Sequence, residues 1–393
     1  MANSGSALSL DPFGFMPGYA SMIRPLGGTT ASPDPRYAFH TPYVKFRAGR
    51  VRFTTKIAGL TAKGGELHLR VHGFIPESGR DAVLVTSSRI ELSHQPDGVE
   101  HEMIVRCVGG VGYAVYAFIL DANQVNADSV TVFAEEEDDG AYGYSEELDG
   151  PTSFGTERLG RPGELIGHAR PVFAEPVSQC MTEAQLDEPA FAQWRTRLPA
   201  SLRPEQSWAA AQALQILERY GLLHHGALGL GLGDNEQVLP PILAQHGCET
   251  QCYAIDGGRV ERISEDAATV VGWRIEDEPP VALRGFDFLW SFQGLDAAQG
   301  YGQAARFVEC ALRVLRQGGY GVFRLSMIDR PGADSAGPGI LTRREVERLA
   351  LTMISRSHDV AQLNFAADEL DGPRATGAVT PFLLIVRRSR ALI

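Results

Sequence analysis

The stretch "GALGLGLGDNE" runs from Gly226 to Glu236. It sets Gly229, Gly231 and Gly233 at alternate positions after a short apolar run and closes on acids that include Asp234. Glycine tolerates positive φ and carries no Cβ, so a glycine-rich turn between strand and helix lets the backbone approach a ligand closely. A dinucleotide fingerprint, G-x-G-x-x-G, would need glycine where Asp234 or Glu236 stands, and a P-loop would need Gly-Lys-Ser/Thr. Both are excluded, which leaves a ligand without a pyrophosphate. Asp256 closes the run "CYAID" 23 residues beyond Gly233, a position from which a carboxylate accepts hydrogen bonds from ribose hydroxyls.

Such a turn needs a parallel sheet to hold it, and the surrounding sequence alternates accordingly. "GALGLGL", "TQCYAID", "FDFLWSF" and "YGVFRLSM" have the composition of strands. "EQVLPPILAQHG" and "QAARFVECALRVLRQGG" carry helical spacing, as do "EAQLDEPAFAQWRTRL" and "PEQSWAAAQALQILERYGLL" before them. In "TRREVERLALTM", Thr342 and Glu345 make a capping box. The pattern predicts a doubly wound α/β domain over residues 181–393.

The first half has a different texture. Residues 1–40 are rich in Gly, Pro and Ser without a period and are expected to form an irregular arm. Six short β-rich runs follow: "RVRFTTKIAGL", "GELHLRVHGFIP", "DAVLVTSSRIEL", "EHEMIVRCVGG", "GYAVYAFILDA" and "DSVTVFAEE". They predict a small antiparallel β-sandwich over residues 41–137. In "ELHLRVHGF", Leu67, Leu69 and Val71 take the core face, while His68, Arg70 and His72 take a face expected to be solvated. The acidic, Gly-rich stretch after it marks a linker over residues 138–180.

Composition bounds the partners. Of 393 residues, 44% are hydrophobic and 21% charged, as in ordinary globular chains, and 48 acidic against 36 basic residues leave a net charge of −12. With no Lys/Arg run, nucleic acid is not an expected partner. The N-terminus has no basic flank of a signal peptide and no stretch suits membrane insertion. Five scattered cysteines, of which Cys248 and Cys252 lie four apart with no second pair, argue against a metal site and for a reduced, cytoplasmic protein.

The ordered set of signals resembles the class I S-adenosylmethionine-dependent methyltransferases over roughly residues 205–390: glycine loop, acid after the second strand, "FDFLWSF" as the fourth strand and "YGVFRL" in the fifth. More narrowly, "RYGLLHHGALGLGLGDNEQVLPPILAQHGCETQCYAIDGG" is similar to methyltransferases found with bacterial polysaccharide biosynthesis enzymes. Their Ser-Ser-x-x-Leu-Glu-His stretch reads "SFQGLDA" here, so Leu295 is kept, Asp296 stands for the glutamate and Ala297 for the histidine. Their acid two residues before the first glycine is Ala227.

The resemblance implies S-adenosylmethionine as cofactor. It implies Gly229, Gly231, Gly233, Asp234, Asp256, Asp277 and Ser291 as its binding residues, with Asp277 toward adenine. Asp296 would be the general base, and His224 and His225 weaker candidates for that task. It implies a small-molecule or glycan acceptor, methylated on a hydroxyl, and association with glycan-assembly enzymes. Ala227 and Ala297 support a second reading: an inactive protein that keeps the fold as a glycan-binding or scaffold module.

Overall fold

The computed structural model describes residues 7–75, 82–93, 98–122, 124–137, 164–167, 170–233, 236–256, 259–262, 273–275, 277–293, 295–296, 298–329, 337–356, 358–365 and 379–388. The chain divides into two compact units, Met1–Gly143 and Tyr144–Ile393.

In the first unit all six β-rich runs are strands, and they pair antiparallel. One sheet runs in the order Leu8–Leu10, Ser129–Glu136, Gly49–Ala58, Gly98–Cys107. Another runs Tyr37–His40, Gly112–Leu120, Glu66–Phe74, Val83–Glu91. Alternate residues Val51, Phe53 and Ile57 are buried, as are Leu67, Leu69 and Val71. Phe46 meets Phe53 of one sheet and Tyr113 of the other.

Two features differ from the sequence reading. Residues 7–40, expected as an irregular arm, supply the strands Leu8–Leu10 and Tyr37–His40. The face of His68 and His72, expected to be solvated, is largely covered. His68 stacks on Phe118 at 4.8 Å, Arg70 lies 4.6 Å over the same ring, and Phe15 from the N-terminal segment stacks on His40 at 4.1 Å. Burial disfavours the imidazolium and lowers His72 to about 4, with His40 and Arg70 adding repulsion.

The second unit builds one mixed sheet. Its core strands are β1 (Leu228–Leu232), β2 (Glu249–Asp256), β3 (Phe286–Ser291), β4 (Leu315–Ile328) and β5 (Val379–Arg387). They lie in the order β2-β1-β3-β4-β5, the first four parallel and β5 antiparallel to β4. The helices are α1 (Pro204–Arg219), α2 (Pro240–Gln245), α3 (Tyr301–Leu312) and α4 (Arg343–Ser355). Successive residues of β4 face opposite ways. Val322 joins the cluster around α1, while Phe323 meets Phe307 of α3, so helices cover both faces. This is a Rossmann-like arrangement.

Helix α1 buries Trp208, Leu214, Ile216 and Leu217 together with four alanines, which let its axis approach the sheet. The capping box expected at α4 forms: the Thr342 hydroxyl accepts from the Glu345 amide at 3.2 Å, and the Glu345 carboxylate accepts from the Thr342 amide at 2.7 Å.

The sheet is not parallel throughout, because β2 continues into the antiparallel strand Arg259–Arg262, which pairs in turn with Trp273–Arg274. A parallel neighbour needs a crossover of a dozen or more residues. Only Gly257 and Gly258 separate Asp256 from Arg259, and Gly-Gly is a hairpin signal. Of the stretch expected as linker, residues 164–180 include the strands Ile166–Gly167 and Ser178–Cys180 of this sheet. Residues 138–163 lie outside the described set.

Candidate functional site

Gly229 and Gly231 lie inside β1, in register with Phe288 and Trp290 of β3. A methyl group at Gly231 would sit 2.8 Å from Cζ2 of Trp290 and 2.9 Å from Cβ of Glu236, and one at Gly229 would overlap the Phe288 ring. Both rings are fully buried and belong to the α1 cluster. These two glycines admit aromatic rings across the sheet, so the side on which a Cβ would stand is filled by protein. Gly233 differs. It follows the strand with φ of 134°, a backbone that favours glycine, and its amide donates to the Tyr253 carbonyl at 2.8 Å.

Between β1 and β3 the strand order reverses, the usual place for a ligand in such sheets. Glu236, fully buried just after the glycine turn, spans this point. Its Oε1 accepts from the amides of Phe292 at 2.6 Å and Gln293 at 3.3 Å, and its carbonyl accepts from the Trp290 indole at 3.2 Å. A carboxylate that gathers two backbone amides fixes the turn after β3 relative to β1.

Beside that turn opens a cleft of about 780 Å³. It is lined by Arg203, Glu205 and Gln206 at the start of α1, by Phe292 and Gln293 after β3, and by Asp296, Arg324 and Ser326. Asp296 is held by its own turn: its amide donates to Gln293 at 3.0 Å, and its carbonyl packs where Gly339, at φ of 72°, leaves no Cβ. The side chain is 45% exposed, and the part that is desolvated raises the carboxyl above the ordinary aspartate value. Arg324 opposes that rise. Its Nη1 lies 3.4 Å from Oδ2 of Asp296 and donates to the Phe292 carbonyl at 3.1 Å.

The other expected residues scatter. Ser291 ends β3, with Oγ buried and without a hydrogen-bond partner. Asp256 ends β2; its side chain lies outside the described set, as do Asp234 and Ala297. Asp277 is exposed in a bend closed by its amide on the Arg274 carbonyl at 2.9 Å. His224 and His225 precede β1, at the amino ends of the parallel strands, whereas the cleft is at the carboxyl ends. That position removes them as bases for the cleft. Ala227 is buried in the α1 cluster. Sequence reasoning missed Arg324, whose signal is a lone cation in the apolar run "YGVFRLSM". It also missed the clamp made by Glu236, which depends on a pairing invisible before folding.

No protein-family model matches the chain, and no curated protein matches it. Solved structures resemble it distantly. The CMeT domain of citrinin polyketide synthase shares 12% identity over 47% of this chain and 52% of that domain, with a TM-score of 0.31. TehB from Haemophilus influenzae shares 10% over 88% of this chain and 92% of its own, at 0.30. A branched-chain polyamine synthase from Thermus thermophilus, solved with 5'-methylthioadenosine, shares 13% over 51% and 63%, at 0.30. The chain thus spans about half of the first of these. Among the described residues no helix is long and apolar enough to cross a membrane, and all five cysteines are buried.

Proposed function

We propose that the chain is an S-adenosylmethionine-dependent methyltransferase acting on a hydroxyl of a carbohydrate or glycan precursor. The observation that carries this reading is Asp296: a partly desolvated carboxylate beside Arg324 in a cleft at the carboxyl ends of β3 and β4, next to the reversal of strand order.

The residues fit an adenosyl cofactor in part. Gly233 turns with positive φ, and the Ser291 hydroxyl is buried without a partner, whereas the faces of Gly229 and Gly231 are filled by rings. Gly233 and Ser291 are therefore assigned to hold it, together with Asp256, which is assigned on its place in the sequence at the end of β2. Bound there, the cofactor supplies an electrophilic methyl group. The chain's own task is to orient the acceptor and to receive its proton on Asp296. The first unit, as a docking module for the glycan or for glycan-assembly enzymes, belongs to the same reading.

A second reading, an inactive fold that binds glycan or serves as a scaffold, is favoured by one observation: the glycines expected to cradle a ligand cradle Phe288 and Trp290 instead. Calorimetric titration of the full chain with S-adenosylmethionine and S-adenosylhomocysteine separates the two. Saturable binding of either supports the enzyme, and no heat from both overturns it.

A further inference from the structure

We infer that Arg324 is a specificity-determining residue, which with Asp296 grips two neighbouring hydroxyls of an uncharged polyol. The inference rests on the reading of the cleft as the acceptor site. Among the described residues, the ionisable side chains lining the cleft are Arg203, Glu205, Asp296 and Arg324, two of each sign. With the two signs balanced, the lining carries no net charge that would favour an anionic or a cationic ligand over a neutral one.

The pairing of Asp296 with Arg324 is open enough to admit one. Their closest approach of 3.4 Å exceeds the 2.7–2.9 Å typical of a charge-assisted hydrogen bond, and desolvation raises the Asp296 carboxyl in spite of the cation beside it. Arg324 is nonetheless fixed in place. Nη1 is tied to the Phe292 carbonyl at 3.1 Å, the side chain is only 21% exposed, and Nε, buried, has no hydrogen-bond partner.

A carboxylate only accepts and a guanidinium only donates. Side by side they match two hydroxyls on adjacent carbons, one giving its proton to Asp296 and the other accepting from Arg324. The hydroxyl on Asp296 is the one that loses its proton in the proposed reaction, so Arg324 reads its neighbour. Phe292, Leu202, Val238, Ala209 and Ala210 add to the lining apolar surface suited to the C–H face of a sugar ring.

Saturation-transfer NMR on the full chain tests this with methyl glucoside, mannoside and galactoside. The comparison set is their singly deoxygenated forms, the corresponding uronates, the 6-phosphates and the 2-amino sugars. At least one neutral glycoside is expected to bind. Loss of one hydroxyl of the recognised pair should weaken it by about tenfold or more, since a hydrogen bond to a charged group is lost, and the charged analogues should bind more weakly than the neutral parent.

Arg324→Gln should bring the parent down to the level of the deoxygenated form, with Arg324→Lys restoring part of the difference. Amide spectra of both variants report whether the fold is kept. Tightest binding by a uronate, phosphate or amine overturns the proposal, as do equal binding of all deoxygenated forms, unchanged discrimination in a folded Arg324→Gln, or no binding by any glycoside. A parallel titration with S-adenosylhomocysteine keeps the failures apart. Cofactor binding without glycoside binding sinks only the inference about Arg324, and glycoside binding without cofactor binding sinks only the methyl-transfer reading.

Discussion

A valine at position 231 would force branched carbons into space held by the Trp290 indole and the Glu236 side chain, both fully buried. Overpacking of a filled core typically costs about 1–3 kcal/mol. Gly231→Val is therefore expected to lower the urea midpoint of the second unit, and an unchanged midpoint would mean that the rings do not depend on that gap. Asp296→Asn keeps shape and removes basicity. Turnover with a competent acceptor should fall by about 100-fold or more, as for loss of a positioned base, while S-adenosylhomocysteine affinity stays within a few-fold. The base works only when ionised, so the rate should rise with pH through the Asp296 pKa, which desolvation places above the ordinary aspartate value. Arg324 pulls that pKa down. Arg324→Gln should thus move the acid limb of the rate profile to higher pH, and a limb that stays put or moves down would remove Asp296 as the titrating group.

At the scale of the element, Glu236 ties the turn after β1 to the turn after β3 through the amides of Phe292 and Gln293, two residues that line the cleft. Glu236→Ala would take their acceptor from the part-buried Phe292 and Gln293 amides, at a cost of about 1–3 kcal/mol at most, the figure for a fully buried group. Glu236→Gln keeps an acceptor and should recover much of that loss in urea unfolding. Equal stability of the alanine and glutamine variants would deny the clamp.

Local signals made much of the fold legible from sequence: the six antiparallel strands, the helix from Pro204, and the capping box of Thr342 and Glu345. What stayed hidden was relational. The alternate glycines of β1 look like a ligand cradle until the register sets Gly229 against Phe288 and Gly231 against Trp290, residues more than fifty positions away. The helix expected through "LRVLRQGG" ends at Leu312 and yields to β4 from Leu315, because a strand partner in β3 overrides local propensity. The stacking of His68 on Phe118 likewise depends on cross-strand pairing, for alternation alone shows two faces and not what covers them.

For the whole molecule, each unit has its own buried core. The first rests on Val51, Phe53, Leu69 and Val115, and the second on Trp208, Leu214, Phe288, Trp290 and Ile385. A core of this kind is what allows a domain to fold alone. The sequence joining them, from Asp138 to Gly155, is acidic and poor in apolar residues, so it offers little hydrophobic surface to fuse the two. Fragments 1–143 and 144–393 are therefore expected to fold separately. Each should show a cooperative urea transition, and their sum should reproduce the curve of the full chain. The second fragment should keep the full chain's S-adenosylhomocysteine affinity, because every residue assigned to that site lies in it. Gly231→Val in the full chain should then shift the transition of the second unit and leave that of the first in place. A single transition moved as a whole by Gly231→Val, with either fragment unfolded alone, would show one cooperative core and place the first unit within the energetics of the cleft.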